Sequence, residues 1–527
     1  MKKSFKIPKL VQKAAGKAAK QTVLITADDH LFEGTVEEES GDRWLALDLS
    51  KALRFYQRAY DHYKMAYSMA PRLVDAHYNA ARLTFHIYNQ YTKPDHVRFE
   101  DLENVGDVLG SRSSVVQSLE QIVKAHEDIL VVAESVGIPW DLRYNTALAY
   151  TEILEQSVER DLSIETVGNL AGRTSTMFAE VLDTQVRELE EFVADITSEE
   201  DSAPEDTPNE TNDGPKEVFV DVRDTVTPVV LLESILSSYR FIQSVYEAVS
   251  TEHIPRIHQL LDLFLAQLDS LASKTVAAYG SDLSEKQHLN LPYLSALMVD
   301  DLKIARAYAT SASKTSFDEL LAVWKGDIPK VPEAYMSTAD SIQTLLDKEC
   351  ITPSYHMFLP SLHASQPELV WGLLGTMNVY YKKAQDVLMV TMKQHQVANS
   401  LLLSPVISTI AALLVARSDC ELQRALLEFP AATTHREVLL KNARTLLVNA
   451  VNMANISGGL REGASDKLIR AKRRVEAVVR ICVMDGEVLP EQLDKRIKRT
   501  DWATEIPNIR ELGYYGFFTL PVVPLQF

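Results

Sequence analysis

The residues in this 527-residue chain best suited to chemistry are its clustered cations. Lys467–Arg480 reads KLIRAKRRVEAVVR and Lys495–Arg499 reads KRIKR, which brings Lys472, Arg473, Arg474, Lys495, Arg496, Lys498 and Arg499 into one short region. Guanidinium and ammonium groups at that density bind phosphates or carboxylates. The region therefore offers a docking patch for RNA, for an acidic partner or for an acidic segment of the same chain. Leu468, Val475, Val478 and Val479 interleave with the cations at helical spacing. That pattern predicts an amphipathic helix, and its plainest reading is the solvated last helix of a stack.

Reactive groups elsewhere lack the spacing that catalysis needs. Ser311 and Lys314 satisfy S-x-x-K, but no supporting motif accompanies them. His253 and His258 are five residues apart and fall on different faces of a helix, while Pro360 separates His356 from His363. Neither pair makes the one-turn spacing of a zinc site. The chain holds no G-x-x-x-x-G-K-[ST] or G-x-G-x-x-G loop and no G-x-S-x-G elbow. Cys350, Cys420 and Cys482 are too few and too scattered for a disulfide framework or a metal knuckle, and they fit a reducing compartment. The expectation is a non-enzymatic protein with no catalytic residue, no metal and no cofactor.

Composition narrows the partners. Hydrophobic residues make up 46% of the chain and charged residues 24%, the balance of a folded protein, and the net charge is -19. Such a field repels a nucleic-acid duplex and suits a basic protein. At this length the chain is either several domains or an elongated stack. Its first 21 residues hold seven lysines, with no acid before Asp28, and lack the apolar core of a secretory signal. They read as a basic solvated arm or a nuclear-localisation element, so the expected location is cytoplasmic, nuclear or both. Val397–Ala416 is a twenty-residue stretch without a charge, interrupted by Asn399, Ser400, Ser404, Pro405, Ser408 and Thr409. Ser404–Pro405 reads as an N-cap and a first-turn proline, which predicts a buried helix and no membrane partner.

The elements that would position these groups are helical throughout, giving an all-α fold class. Residues 1–40 are expected to form a basic arm and an irregular lead-in, since 22–40 show no helical period. Residues 41–196 form a first helical domain, with patterns around Trp44–Tyr56, on through Ala70, and over Val74–Tyr91, ending at Lys93–Pro94–Asp95. Ser114–Val136, Trp140–Val158 and Ile164–Ile196 follow. Thr197–Pro215 carries seven acids, three prolines and no large apolar residue, so residues 197–226 are expected to be a disordered acidic linker. Ser198 and Ser202 each precede an acid by three residues, the pattern of an acid-directed kinase site. Residues 227–510 read as degenerate helical hairpins, and 511–527 as an apolar tail that packs back on the stack.

One stretch repeats. Ala59, Tyr63, Val74, Asp75, Tyr78, Asn79 and Ala81 recur 66 residues later as Ala125, Ile129, Trp140, Asp141, Tyr144, Asn145 and Ala147. Small residues, an aromatic and Pro71 at these offsets resemble the tetratricopeptide (TPR) repeat family over residues 41–160, and 66 is close to two such repeats. WGLLGTMN, with Trp371, Leu374 and Gly375, is a weaker echo. The resemblance implies an α-solenoid of helical hairpins that binds a protein in its groove. The family places the first helix of each pair on that groove, which nominates Tyr78, Asn79, Arg82, Tyr144, Asn145 and Leu148 as its lining. Asn79 occupies a position that some TPR domains use to clamp the carboxylate of heat-shock chaperones. Trp44 and Asp48, however, stand where lysine and asparagine are required, so a chaperone tail is not the expected ligand. The implied function is an adaptor or escort chaperone for a basic nuclear or ribosomal client. The alternative is a subunit of an RNA-processing or translation assembly that touches RNA through Lys467–Arg499.

Overall fold

The computed structural model describes residues 24–93, 97, 99–157, 160–200, 225–280, 293–349 and 365–521. It is all-α, and its helices stack as a solenoid. The first pair is α1 (Ala27–Leu45) and α2 (Leu49–Met69). α1 overturns the expected irregular lead-in. Thr26 and Asp29 form a reciprocal capping box at its start, which satisfies orphan backbone donors. It shows no hydrophobic period because its buried positions are Gly34, Glu38 and Gly41. Those glycines let two helices touch: a Cβ at Gly34 would lie 2.5 Å from the Tyr63 ring, and one at Gly41 would lie 2.5 Å from the Tyr56 ring. Each glycine takes a ring in the register of an antiparallel pair.

The helical pattern read around Trp44–Tyr56 is divided between two helices: α1 ends at Leu45, and α2 runs unbroken from Leu49 to Met69, as the continuation through Ala70 implied. The chain turns at residues 46–48, where Asp48 caps α2 by accepting from the Lys51 amide. Trp44 closes α1, with the Lys51 ammonium 3.3 Å over its ring. Next come α3 (Val74–Ile87), the short α4 (Gly106–Leu109), α5 (Leu119–Ala133) and α6 (Trp140–Glu155). α3 and α6 start at the two ends of the 66-residue echo, so the repeated pattern is a repeated helix start.

α7 (Ile164–Glu200) is one long helix. It carries the first residues of the expected acidic linker, including Ser198, as helix. Residues 201–224, with Ser202, lie outside the described residues. After them come α8 (Pro228–Glu247), α9 (Ile254–Tyr279), α10 (Ala296–Ala312), the short α11 (Phe317–Trp324) and α12 (Pro332–Glu349). α6, α8 and α10 pack side by side, with α7 and α9 against their other face. Each layer thus buries its apolar stripe against its neighbours in sequence, as a solenoid requires.

The last third contains α13 (Pro367–Ala398), α14 (Leu403–Leu426), α15 (Pro430–Ala454), α16 (Ala464–Met484), α17 (Pro490–Leu493) and α18 (Arg499–Glu511). α14 is apolar and long enough to cross a membrane, yet most of its apolar window is buried between α13, α15 and α16. Its helix starts two residues earlier than expected, at Leu403 rather than Pro405. Ser404 therefore lies inside the first turn and donates to Glu462 instead of capping. Tyr515, in the tail, is fully buried beside α14 and donates to Asp419 at 2.8 Å.

The two ends of the stack meet. Ala464 and Leu468 at the start of α16 pack on the core of α1–α3, and the Ala464 amide donates to the Ala46 carbonyl at 3.0 Å. The amphipathic helix read from the cationic run thus joins the last helices to the first.

Candidate functional site

Of the six groove residues expected from the TPR resemblance, Arg82 and Asn145 are buried and the other four are partly buried. Arg82 is buried and donates to both Glu38 oxygens at 2.7 and 2.8 Å, and the Tyr63 hydroxyl donates to the same carboxylate at 2.8 Å. Asn145 is buried too, and its amide donates to the Tyr78 hydroxyl at 2.6 Å. Asp141 sits beside that hydroxyl, and burial pushes the Asp141 carboxyl up. These groups form a polar spine from α1 through α2 and α3 to α6. Tyr144 shares a hydrogen bond with Ser237 on α8 and meets Phe178 edge-on, and Leu148 packs into the core. Asn79 is partly exposed. Arg82 turns inward because α1, which shows no hydrophobic period, supplies Glu38 to meet it.

The spine is followed by a buried histidine. His126 on α5 is fully buried, with Nδ1 2.8 Å from the Ile122 carbonyl, and burial pushes it down to about 4. The folded chain holds it neutral, whereas the unfolded chain protonates it near 6.5. Its contribution to stability is therefore complete above pH 6.5 and is lost as pH falls from there toward 4. The expected loss is on the order of 3 kcal/mol. Asp347 shifts the other way, to about 6, so the measurement must be a difference. Acid unfolding of His126→Leu against the parent should lack that fall in stability between pH 6.5 and 4, and equal slopes would remove His126 as its source.

The cationic region is divided by ion pairs. Arg473 pairs with Glu476 at 2.9 Å, Arg496 with Glu487 at 2.8 Å, and Arg499 with Asp494. Arg480 is buried among Asp419, Glu476 and Glu505. Lys495 and Lys498 are exposed, Arg474 is half-buried, and Lys472 lines a cleft with Asp101 and Asp501. The expected solvated last helix is instead wedged between the two ends of the stack. Ser311 is committed to the Tyr308 carbonyl and to Ser341, and His258 to the Tyr246 hydroxyl. Cys420 and Cys482 are buried, and burial pushes both thiols up, Cys482 to about 11. His356, His363 and Cys350 lie outside the described residues. Among the described residues, no three His, Cys, Asp or Glu side chains are grouped to hold a metal.

The open concavities lie elsewhere. α7 and α9 run in the same direction and leave a cleft of about 720 Å³ between them. Leu182, Val186, Phe264, Leu268 and Leu271 make its apolar lining, and Arg143, Glu180, Asp183 and Arg187 bring charge to it. Arg143 and Glu180 pair at 2.7 Å. A second cleft of about 500 Å³ lies nearer the starts of the same helices, lined by Ile164, Glu165, Arg256, Ile257 and Leu260. A smaller one, about 230 Å³, lies between α2, α3 and α5. There Ala80, Ala81 and Ala125 leave room beside Tyr60, Tyr67 and His77, and Tyr67 stacks on His77 at 4.3 Å. An apolar surface with polar groups along it is the form that peptide and helix grooves take. Its sequence signal was the alanine echo; the α7–α9 cleft had no signal, because it forms between segments about eighty residues apart.

The class is thus an all-α solenoid with open clefts between successive helices. Residues 330–508, from α12 through most of α18, match the family described as the YNL193W C-terminal domain. The chain is 24% identical over 512 residues to "Uncharacterized protein YNL193W" of Saccharomyces cerevisiae, covering 85% of this chain and 88% of that protein. It is 24% identical over 425 residues to "UPF0656 protein C926.02" of Schizosaccharomyces pombe, covering 80% and 83%. Among solved structures it is similar to a "Circular tandem repeat protein with novel repeat topology and enhanced subunit contact surfaces", at 12% identity and a TM-score of 0.25, covering 93% of this chain and 97% of that one.

Proposed function

We propose that this chain is a non-enzymatic, TPR-like adaptor or escort chaperone of the cytoplasm or nucleus that holds a protein segment between α7 and α9. The observation that carries this reading is the pair of clefts along those two parallel helices, apolar within and charged at the edges. A helical or extended segment can bury side chains on Leu182, Val186, Leu268 and Leu271 while its polar groups meet Arg187, Asp183 and Glu165. The basic character of the client rests on the net charge of -19 and on the acids of Thr197–Pro215, which begins in the last turn of α7.

The test is affinity capture at low and moderate salt with three chains: intact, lacking Thr197–Pro215, and Leu260→Asp/Leu271→Asp. The expected result is a basic protein recovered at low salt, reduced about tenfold or more by either change, since two desolvated apolar contacts are lost in one case and long-range attraction in the other. A complex indifferent to both changes would remove the client-escort reading. RNA recovered with the chain and lost on Lys495→Glu/Lys498→Glu would replace it with the assembly-subunit alternative.

A further inference from the structure

The uncharged stretch Val397–Ala416 is used in two ways. From Leu403 onward it enters the core as α14, but the residues before that surface: Val397 is 90% exposed, Leu401 61% and Leu402 57%. Two other connections meet them. Leu460, 94% exposed, donates its backbone amide to the Asn399 side chain at 3.3 Å, and Leu47, 73% exposed, follows the Ala46 carbonyl that holds Ala464. Five large aliphatic side chains thus project from one corner where the ends of the stack join. A folded chain gains nothing from leaving such side chains in water, so a grouped set marks a contact surface.

The corner is braced to present them. Arg470 grips Glu462 through two hydrogen bonds of 2.7 and 3.0 Å and also holds the Ala454 carbonyl, while Ser404 donates to Glu462 at 2.7 Å. Gly459 has φ +91°, a conformation that side chains rarely adopt, and its neighbour Leu460 stands at the apex of that turn. None of the described clefts is lined by these five residues. They protrude, and a fluid apolar phase accepts protruding side chains without a matching cavity.

Charge selects the phase. Arg43, Lys393, Arg461 and Lys467 are exposed on the same connections and on the helix ends beside them. Against these four exposed cations stands one exposed acid, Asp48, which caps α2, while Glu462 is held by Arg470 and Asp466 lies against Gly463. In a chain of net charge -19 this is a corner of outward positive charge. We infer that this corner docks on an anionic lipid surface, with Leu47, Val397, Leu401, Leu402 and Leu460 entering the headgroup boundary and the four cations pairing with lipid headgroups. The contact is peripheral, and α14 stays in the core.

The test is flotation of the full chain with phosphatidylcholine vesicles, with and without phosphatidylserine, for the parent and Leu401→Ser/Leu460→Ser. Both substitutions are at exposed sites, and circular dichroism and thermal melting should match the parent. The parent is expected to float with phosphatidylserine vesicles, and the variant to bind about tenfold or more weakly, since two leucines lose their apolar contact. A third chain, Lys393→Glu/Arg461→Glu, should lose the preference for phosphatidylserine. Three results would overturn the inference. One is a parent that does not float, and another is flotation indifferent to the leucines that follows residues 2–20 alone. The third is a parent that sediments as a dimer which the leucine variant dissolves, making the corner an interface between copies.

Discussion

Replacing Arg82 by methionine is expected to destabilise the α1–α3 region by about 3–5 kcal/mol, because the change leaves the Glu38 carboxylate buried without its cation. Glu38 and Arg82 pair at 2.7 Å with almost no solvent on either side, and Tyr63 completes the carboxylate's hydrogen bonds. A lone charge in that setting must either take up a proton or drag water into the interface. Glu38→Leu/Arg82→Met removes both charges and should recover most of the loss, since a buried pair often does little better than apolar side chains of similar volume. Glu38, Tyr63 and Arg82 lie on α1, α2 and α3, so the readout is amide-exchange protection of those helices together with the denaturation midpoint. If the single variant costs under about 1 kcal/mol, Arg82 is not the cation that holds α1 in place.

Tyr515→Ala should cost a similar amount at the other end, about 3–5 kcal/mol. The ring is fully buried among α14, α16 and α18, where it packs at a tilt against Tyr514 and Phe518 and lies 5.6 Å from the Arg480 guanidinium. Its hydroxyl satisfies Asp419, whose carboxyl burial already pushes up. Removing the side chain opens a cavity and strips a donor from a buried acid. Tyr515→Phe separates the two effects and should lose about 1–3 kcal/mol, the penalty for leaving Asp419 short of one hydrogen bond. Protection of α14, α16 and α18 should fall in both variants, more in the alanine. An alanine variant no weaker than the phenylalanine one would mean that the tail contributes only its hydroxyl.

Both sites show where the sequence was legible. The start of α3 at Val74 and of α6 at Trp140, the long α7, and the burial of α14 follow from spacing and composition, since an apolar stripe at helical period has to be covered whatever covers it. α1 escaped that reading because its contact face is Gly34, Glu38 and Gly41, a face made by close approach rather than by hydrophobicity. Arg82 and Asn145, nominated for the groove, are buried for a related reason. Tyr78, Arg82 and Asn145 are polar enough to suit a surface, and nothing in their own spacing says that Glu38 and Asp141 will meet them inside.

The cationic run illustrates the same limit. Its amphipathic pattern fixes a helix with Val478 and Val479 inside, but not that Arg480 faces Asp419, Glu476 and Glu505, or that Leu468 reaches the core of α1–α3. By itself the sequence determined an all-α stack with a repeated helix start, an acidic net charge and a long apolar helix near Pro405, because each follows from local periodicity or composition. Only the tertiary structure decided which polar groups became a spine, where the α7–α9 cleft opened and which leucines stayed outside. Those outcomes depend on pairs such as Glu38 with Arg82 and Ala46 with Ala464, whose partners are far apart in the chain and are brought together only by packing.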